Sequence, residues 1–389
     1  MSEPLVIGLV AGESSGDTLG AALLEALRAR VGAVRAFGIA GPKMRRAGCE
    51  LWADSHELAV MGLIEPLVHL PRLFALRRRL VRDFTAARPH VFVGIDAPAF
   101  NIGLEAKLRA RGLATVQYVS PQVWAWRQGR VRTIAAACDL VLCLFPFETQ
   151  FYSAHGVRAQ FVGHPLADQI PLQTDRAAAR QALGLAPQAT VIALLPGSRL
   201  GEVRRLGADF LRAAQWLQEQ RPDVKFVAPM ASQGVRNIFA MQLQQVAPGL
   251  QVQLFEGQAQ QSMIAADAVL VASGTATLET LLVRRPMVAA YRFNAVTAFL
   301  LRGMGLVKVR HFSQPNLLTG KSLVPEFLQE AVIGEDLGRA LLRQLDDTPG
   351  RELLEAEFLK VHQQLRIGAA DRAAQSILEL LRERGSYGA

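Results

Sequence analysis

Cysteine is scarce in this sequence: only Cys49, Cys138 and Cys143 occur among 389 residues. Three scattered cysteines cannot build a disulfide framework, and they favour a reducing, cytosolic setting in which each packs as a small apolar side chain. Cys138 and Cys143 have no nearby His or Cys pair to complete a tetrahedron, and the seven histidines form no HExxH. The sequence therefore excludes the disulfide-rich class of proteins and predicts no metal site.

Long apolar runs are also lacking. No uninterrupted apolar segment reaches the roughly 20 residues that a helix needs to cross a bilayer. The first apolar run has no basic leader and continues directly into Gly12, Ser14 and Ser15, which is atypical of a secretory signal. We therefore expect a soluble protein, or one attached at most to a membrane surface.

Charged residues are few, at 20%, whereas half of all residues are hydrophobic, so a disordered chain is excluded. The net charge of +9 suits an anionic partner, such as phosphate groups, nucleic acid or an anionic bilayer face. No nucleic-acid-binding motif occurs, and no basic run is interleaved with aromatic residues. These absences argue against nucleic acid and leave phosphates and the bilayer.

Short β-branched runs alternate with longer helical patterns, which predicts an α/β fold with two doubly wound parallel sheets. The predicted strands are almost continuously apolar, as in sheets covered on both faces: 5–10, 90–94, 114–118, 140–144, 190–195, 224–228, 252–255, 268–272 and 287–290. Pro165, Pro171 and a polar stretch predict a boundary between a first domain over 1–168 and a second over 169–345. Helical spacing of apolar residues predicts helices in the tail, 346–389.

Ligands of open α/β sheets bind beyond the carboxyl ends of the strands, and the loop in 194–206 follows such an end. Its chain turns at Pro196 and Gly197 and enters a helix at Ser198 and Arg199. Free backbone N–H groups at a helix start favour an anion, and the Arg199 guanidinium is a two-pronged donor suited to phosphate. An ordinary capped turn fits the same residues.

A second loop consists of small residues: Ser273, Gly274, Thr275, Ala276 and Thr277. Because Gly274 has no side chain to block a close backbone approach, the loop is suited to a diphosphate. Glu279, one turn into the following helix, is placed to accept hydrogen bonds from ribose hydroxyls. The alternative is that the helix dipole alone favours an acid there.

Asp96 directly follows an apolar strand and stands two residues before Pro98, which discourages an immediate helix. A carboxylate at such a strand end is a candidate general base. An N-cap or turn aspartate is the alternative interpretation.

The opening loop carries acids where a phosphate loop would carry none: Glu13, Ser14, Ser15, Gly16 and Asp17. It has neither GxGxxG nor the Lys-Ser/Thr pair of a Walker loop, so both fingerprints are excluded. Its carboxylates supply acceptors, so we expect it to serve a hydroxyl-rich ligand in the cleft. The alternative is that Asp17 caps the following helix.

Residues 61–84 combine an apolar face with arginines. The residues concerned are Leu67, Val68, Leu70, Leu73 and Phe74, beside Arg77 and Arg78. An apolar face flanked by arginine suits an anionic membrane interface. An ordinary core helix with a solvated basic face is the alternative.

Motifs spread over nearly the whole chain resemble those of the lipid-A-disaccharide synthase family, in the family's order. They are VAGESSGD (10–17), GIAGPKM (38–44), ELAVMGLIE (57–65), VGIDAPAFN (93–101), YVSPQVWAWRQGR (118–130), GHPLAD (163–168), LLPGSR (194–199), ASGTATLE (272–279) and QPNLL (314–318). The stretch with Trp124 and Trp126 is especially hard to obtain by chance.

The resemblance implies a GT-B fold: two Rossmann-like domains around a cleft, with C-terminal helices crossing back to the first domain. It implies an inverting reaction that joins UDP-2,3-diacylglucosamine to 2,3-diacylglucosamine 1-phosphate (lipid X) and releases UDP. Asp96 is then the base for the acceptor's 6-hydroxyl. Arg199, the 273–277 loop and Asn316 match positions credited with the donor phosphates.

The resemblance also implies that the first domain takes the acceptor and faces the membrane, while the second takes the donor. It implies no metal or other cofactor, a cytoplasmic enzyme at the inner-membrane surface, and a homodimer with exchange of C-terminal helices as one arrangement. Rival readings are another UDP-sugar enzyme, such as an epimerase or the peptidoglycan transferase, and a non-catalytic nucleotide-sugar-binding protein. Asp96 and the apolar-basic segment argue against the rival enzymes.

Overall fold

The computed structural model describes residues 3–55, 58, 66–124, 128–293 and 311–387, and for 66–70 it describes the backbone alone. The chain divides into two units. Unit 1 runs up to Asp168 and takes in the residues from Leu365 onward, and unit 2 is Gln169–Gln364. Most of the motif 57–65, and residues 125–127 of the tryptophan motif, lie outside the described part.

Unit 1 is built on a parallel sheet of seven strands, with helices in the connections. The strands are β1 (Leu5–Ala11), β2 (Val34–Ala40), β3 (Cys49–Asp54), β4 (Val91–Ile95), β5 (Ala114–Tyr118), β6 (Leu140–Cys143) and β7 (Ala159–Phe161). The described α-helices between them are α1 (Ser14–Val31), α2 (Pro42–Arg46), α3 (Pro66–Ala87), α4 (Pro98–Arg109), α5 (Val131–Ala137) and α6 (Pro146–Ala154). The helix α7 (Pro165–Gln169) leads into unit 2.

Unit 2 repeats this plan with six parallel strands. They are β8 (Val191–Leu195), β9 (Lys225–Met230), β10 (Val252–Glu256), β11 (Ala268–Ala272), β12 (Met287–Tyr291) and β13 (Glu326–Leu328). The described α-helices from here to the end of the chain are α8 (Arg176–Ala182), α9 (Leu200–Gln220), α10 (Gln233–Val246), α11 (Ala259–Ala265), α12 (Thr275–Leu282), α13 (Gln314–Thr319), α14 (Gly334–Asp346), α15 (Thr348–Leu365) and α16 (Ala369–Glu383).

The strand order places one reversal in each sheet. It is β3-β2-β1-β4-β5-β6-β7 in unit 1 and β10-β9-β8-β11-β12-β13 in unit 2, and every pairing is parallel. The order reverses direction between β1 and β4, and again between β8 and β11. Such a reversal is a topological switch point, where the loops diverge and leave a crevice. The predicted doubly wound α/β fold is confirmed.

The strands next to each reversal are buried on both faces, which is why they read as continuous apolar runs. Ile7, Leu9, Val93 and Ile95 in unit 1 are fully buried. The last helix, α16, joins unit 1 because its buried face packs on the same core. Its start is held by Asp168, whose carboxylate accepts hydrogen bonds from the N–H groups of Gly368 (2.9 Å) and Ala369 (2.6 Å). Within the described residues no helix is both apolar and long enough to cross a membrane.

Candidate functional site

A cavity of about 410 Å³ lies at the switch point of unit 2. The loops after β8 and β11 line it together, so residues 80 positions apart in the sequence meet in one site. The predicted donor residues along its wall are Gly197, Ser198, Arg199, Ser273, Gly274, Thr275, Ala276 and Glu279. Thr277 and Asn316, which were predicted with them, are not among the lining residues.

The start of α12 is open to this cavity. Gly274 has φ +142°, a conformation that an L side chain rarely adopts, and a side chain there would meet no atom of the described residues within 4 Å. No side chain in the described part of the chain caps the helix. Thr275 and Ala276, the first two residues of this helix, line the cavity, and free N–H groups at the positive end of a helix are suited to an anion.

The start of α9 is different, because the chain's own Glu202 occupies it. Its Oε2 accepts hydrogen bonds from the N–H groups of Ser198 (3.0 Å) and Arg199 (3.3 Å), and its Oε1 lies 3.6 Å from Arg199 Nη1. Gly197, at φ +128°, lies so close that an added Cβ would be 2.5 Å from the Cβ of Glu202. The expectation of free N–H groups in this loop is therefore corrected, because an internal carboxylate takes them. The Arg199 side chain stays 71% exposed.

Thr277 and Asn316 organise the chain beside the cavity. Thr277 Oγ1 accepts from the N–H of Gln314 (3.2 Å), which ties α12 to the start of α13. The amide of Asn316 is buried and donates to the carbonyl of Val324 (2.9 Å), while its oxygen accepts from the N–H groups of Leu323 and Val324. In the described structure both side chains thus form hydrogen bonds with nearby backbone groups.

Glu279 is the carboxylate of this cavity without a hydrogen-bond partner among the described residues. Burial raises its pKa above the ordinary value for glutamate. Sequence reasoning missed other lining residues, including Glu202, Pro229, Met230, Gly257, Met263 and Tyr291. Pro229, Met230 and Tyr291 lie at the carboxyl ends of their strands and Gly257 just beyond one, so strand ends were the signal that could have found these four.

Asp96 lies at the switch point of unit 1, directly after β4. Asp96 (φ +53°) and Ala97 (φ +43°) both adopt the left-handed conformation, which is costly for a residue with a side chain. Such strain costs about 1–3 kcal/mol per residue and is found mainly where the surrounding structure enforces it. The carboxylate of Asp96 has no hydrogen-bond partner in the part of the chain described, so it is available for an external one.

The opening loop touches the Asp96 loop. A side chain at Gly12 would lie 2.6 Å from the Cβ of Ala97, so only glycine allows this approach. Gly16 is buried beneath, whereas Glu13, Ser14 and Ser15 are exposed. These three therefore line the same end of the sheet as Asp96.

Asp17 faces inward, and its side chain is fully used by the protein. It is 3% exposed, and it accepts hydrogen bonds from the N–H groups of Gly41 (3.0 Å), Lys43 (2.8 Å) and Met44 (2.9 Å). Asp17 thus holds the turn into α2, the segment of the motif 38–44, and it does not cap its own helix α1. In the described structure Asp17 therefore stabilises the backbone next to the opening loop.

The predicted membrane segment is partly described. Leu67, Val68 and Leu70 belong to α3, but their side chains lie outside the described part. Phe74 is 50% exposed and Arg78 is exposed, whereas Leu73 packs against the core of unit 1. Arg77 turns inward: its guanidinium lies 5.0 Å from the Phe100 ring centre and donates to the carbonyl of Ala99.

Comparison with known proteins identifies the family of this chain. The family model described as lipid-A-disaccharide synthetase matches residues 7–378. The lipid-A-disaccharide synthase of Sodalis glossinidius is 52% identical over 380 residues, covering 98% of this chain and 99% of its own. That of Alkalilimnicola ehrlichii is 51% identical over 382 residues, covering 98% and 100%.

Solved structures agree on the fold. A UDP-GlcNAc 2-epimerase from Neisseria meningitidis, bound to UDP-GlcNAc, matches with a TM-score of 0.59 at 12% identity over 97% of this chain and 99% of its own. A calicheamicin glycosyltransferase matches with a TM-score of 0.59 at 15% identity over 98% and 99%. At such low identities the likeness establishes the GT-B fold alone.

Proposed function

The chain belongs to the lipid-A-disaccharide synthetase family and is a glycosyltransferase; on this premise we propose which substrates it joins and how. The donor is UDP-2,3-diacylglucosamine and the acceptor is 2,3-diacylglucosamine 1-phosphate. The products are the β-1,6-linked disaccharide 1-phosphate and UDP. Two observations support the proposal: within the described residues, the switch point of unit 2 has an uncapped helix start, and that of unit 1 has a carboxylate without a hydrogen-bond partner.

The donor's diphosphate binds at the start of α12, where the N–H groups of Thr275 and Ala276 lie without a capping side chain. Arg199, exposed across the same cavity, supplies a charge-assisted contact to the phosphates. Glu279 accepts hydrogen bonds from the ribose hydroxyls. Pro229, Met230 and Met263 offer an apolar wall for the uracil ring.

Asp96 acts as the general base. Its carboxylate takes the proton of the acceptor's 6-hydroxyl while that oxygen attacks the anomeric carbon of the donor from the face opposite the diphosphate. The bond from the anomeric carbon to the diphosphate oxygen breaks, UDP leaves with the electron pair, and the configuration inverts. Helix N–H groups and Arg199 stabilise the charge that develops on UDP, so we expect no requirement for a metal or another cofactor.

Purified protein supplied with the diacylated UDP-sugar and lipid X should produce disaccharide and UDP in equal amounts, followed by mass spectrometry and a coupled UDP assay. Addition of EDTA should leave the rate unchanged. Folded protein that binds UDP but releases none in the presence of both substrates would contradict this function.

We also propose that α3 draws the enzyme to an anionic, cytoplasmic membrane face, where both acylated substrates reside. The support is the exposed Phe74 next to the exposed Arg78. Phe74→Ser should reduce co-sedimentation with vesicles rich in anionic phospholipid. Leu353→Ser is a matched control, since Leu353 is 71% exposed on α15 of unit 2; equal losses in both variants would refute a specific role for α3. The homodimer is a further proposal, to be measured by analytical ultracentrifugation.

A further inference from the structure

The loop that carries Asp96 is held by two buried amides that no part of the proposed reaction uses directly. Gln117, on β5, is fully buried, and its Nε2 donates to the carbonyl of Asp96 at 3.1 Å. Asn101, on α4, is also fully buried, and its Nδ2 donates to the same carbonyl at 2.9 Å. The carbonyl of Asp96 therefore accepts two hydrogen bonds, one from a side chain on β5 and one from a side chain on α4.

The same amides also lie close to backbone carbonyls at the ends of neighbouring strands. Gln117 Nε2 also lies 3.1 Å from the carbonyl of Val119, a β-branched residue at φ +76°, which is an outlier for its type. Asn101 Nδ2 lies 3.3 Å from the carbonyl of Val10, at the end of β1, and 3.4 Å from that of Ile95. Carbonyl oxygens surround each of these nitrogens, which fixes the orientation of each amide. The two side chains thus join the ends of β1, β4 and β5.

These hydrogen bonds have a desolvation cost. The second polar atoms of these amides, Asn101 Oδ1 and Gln117 Oε1, are buried without a partner in the described structure. An apolar side chain of the same size would avoid that desolvation loss. The carboxylate of Asp96, in turn, has no side-chain partner among the described residues to orient it. Its direction therefore depends on the backbone conformation that the amides enforce.

We propose that Gln117 and Asn101 are positioning residues that hold the Asp96–Ala97 backbone in its left-handed conformation and so aim the carboxylate at the acceptor hydroxyl. The proposal rests on the proposed function of Asp96. Without the amides the loop relaxes toward ordinary backbone angles and the carboxylate swings out of reach. Displacement of a reacting group by about 1 Å is enough to lower a rate about 100-fold.

The test is Gln117→Met, which keeps the length of the side chain and removes both N–H donors. We expect kcat to fall about 100-fold, with the KM for the UDP-sugar and the Kd for UDP within about twofold of the original values, since those contacts lie in unit 2. Thr115→Val is the matched control: Thr115 is buried on the same strand, and its hydroxyl donates to the carbonyl of Ala137 (2.8 Å), away from the site. That variant should lose stability and keep kcat.

A double-mutant cycle separates positioning from a general loss of structure. In an Asp96→Asn background, Gln117→Met should lower the residual rate no further, because there is no base left to aim. A further drop of the same size would overturn the proposal, as would an unchanged kcat in Gln117→Met alone. If Gln117→Met does not fold, Asn101→Leu removes the second donor to the same carbonyl and must give the same split between kcat and KM.

Failure of the proposed function gives a different result. If the original protein makes no disaccharide, the proposed function is wrong. If Asp96→Asn keeps full activity, the assignment of the base is wrong. If Asp96→Asn is inactive and both amide variants retain kcat, only the positioning role is wrong.

Discussion

The loops at the two switch points use opposite means to present a functional group. In unit 1 the loop after β4 forces two residues with side chains, Asp96 and Ala97, into the left-handed conformation. In unit 2 the loop after β11 uses Gly274, for which a positive φ is inexpensive. The proposed base must present a side chain, so glycine is unsuitable there, and in our proposal the buried amides enforce the conformation. The proposed diphosphate site needs bare backbone N–H groups, so glycine serves directly. On these proposals the same fold yields a side-chain site in one unit and a backbone site in the other.

Asp96→Asn removes the proposed base and should have the largest effect. Asparagine tolerates the left-handed conformation, so the loop should keep its shape while kcat falls about 10²–10⁴-fold. UDP affinity, measured by calorimetry, should stay within about twofold because the proposed donor site lies in unit 2. Asp371→Asn, an exposed carboxylate on α16 of unit 1, serves as the control and should be fully active. A loss of UDP binding in Asp96→Asn would contradict the role of a base.

Gly274→Ala tests the proposed diphosphate site at the start of α12. Alanine at φ +142° is strained, so the start of α12 should shift, and UDP binding should weaken about tenfold, or ~1.4 kcal/mol. Gly112→Ala is a matched control, because Gly112 also has a positive φ (+85°), with nothing within 4 Å of an added Cβ, but lies in a turn of unit 1. Both variants should lower the melting temperature, and only Gly274→Ala should change the UDP Kd. Equal UDP affinities in the two would mean that the start of α12 does not bind the diphosphate.

Glu279 gives the smallest effect, and it depends on pH. Burial raises the pKa of this carboxyl, and in the proposed site its ionised form is the stronger acceptor for the ribose hydroxyls. UDP binding should therefore weaken as the pH falls through that raised pKa, at a higher pH than for an ordinary glutamate. Glu279→Gln should bind UDP several-fold more weakly at neutral pH and lose this pH dependence.

The same substitution should act in the opposite direction on stability. A carboxyl whose folded pKa is raised stabilises the fold less once the pH exceeds that pKa, so the neutral Gln side chain should raise the melting temperature of the unliganded protein at pH 7. A Glu279→Gln variant with an unchanged pH profile of UDP binding would assign the titration to another group.

The sequence predicted nine of the strands, including the edge strand β10, and missed β2, β3, β7 and β13. β5 and β11 were predicted to the residue because strands buried on both faces are almost continuously apolar. β2 and β3 were missed: β2 contains Arg35 and Gly38, and β3 is half exposed at the sheet edge. β7 and β13, the opposite edges, have three residues each, too few for a periodic signal. An edge strand owes its conformation to its neighbour, which local sequence does not reveal.

Sequence by itself determined the α/β class, the family and the segments in which Asp96, Arg199 and Glu279 lie, because strand periodicity and motifs are read directly from the order of residues along the chain. The tertiary structure decided which groups are still free. It closed the start of α9 with Glu202 and turned Asp17 toward the backbone of α2, while the start of α12 stayed open. The physical reason is competition: a polar group binds a ligand only if no nearer partner in the folded chain satisfies it first, and those partners come from distant parts of the sequence.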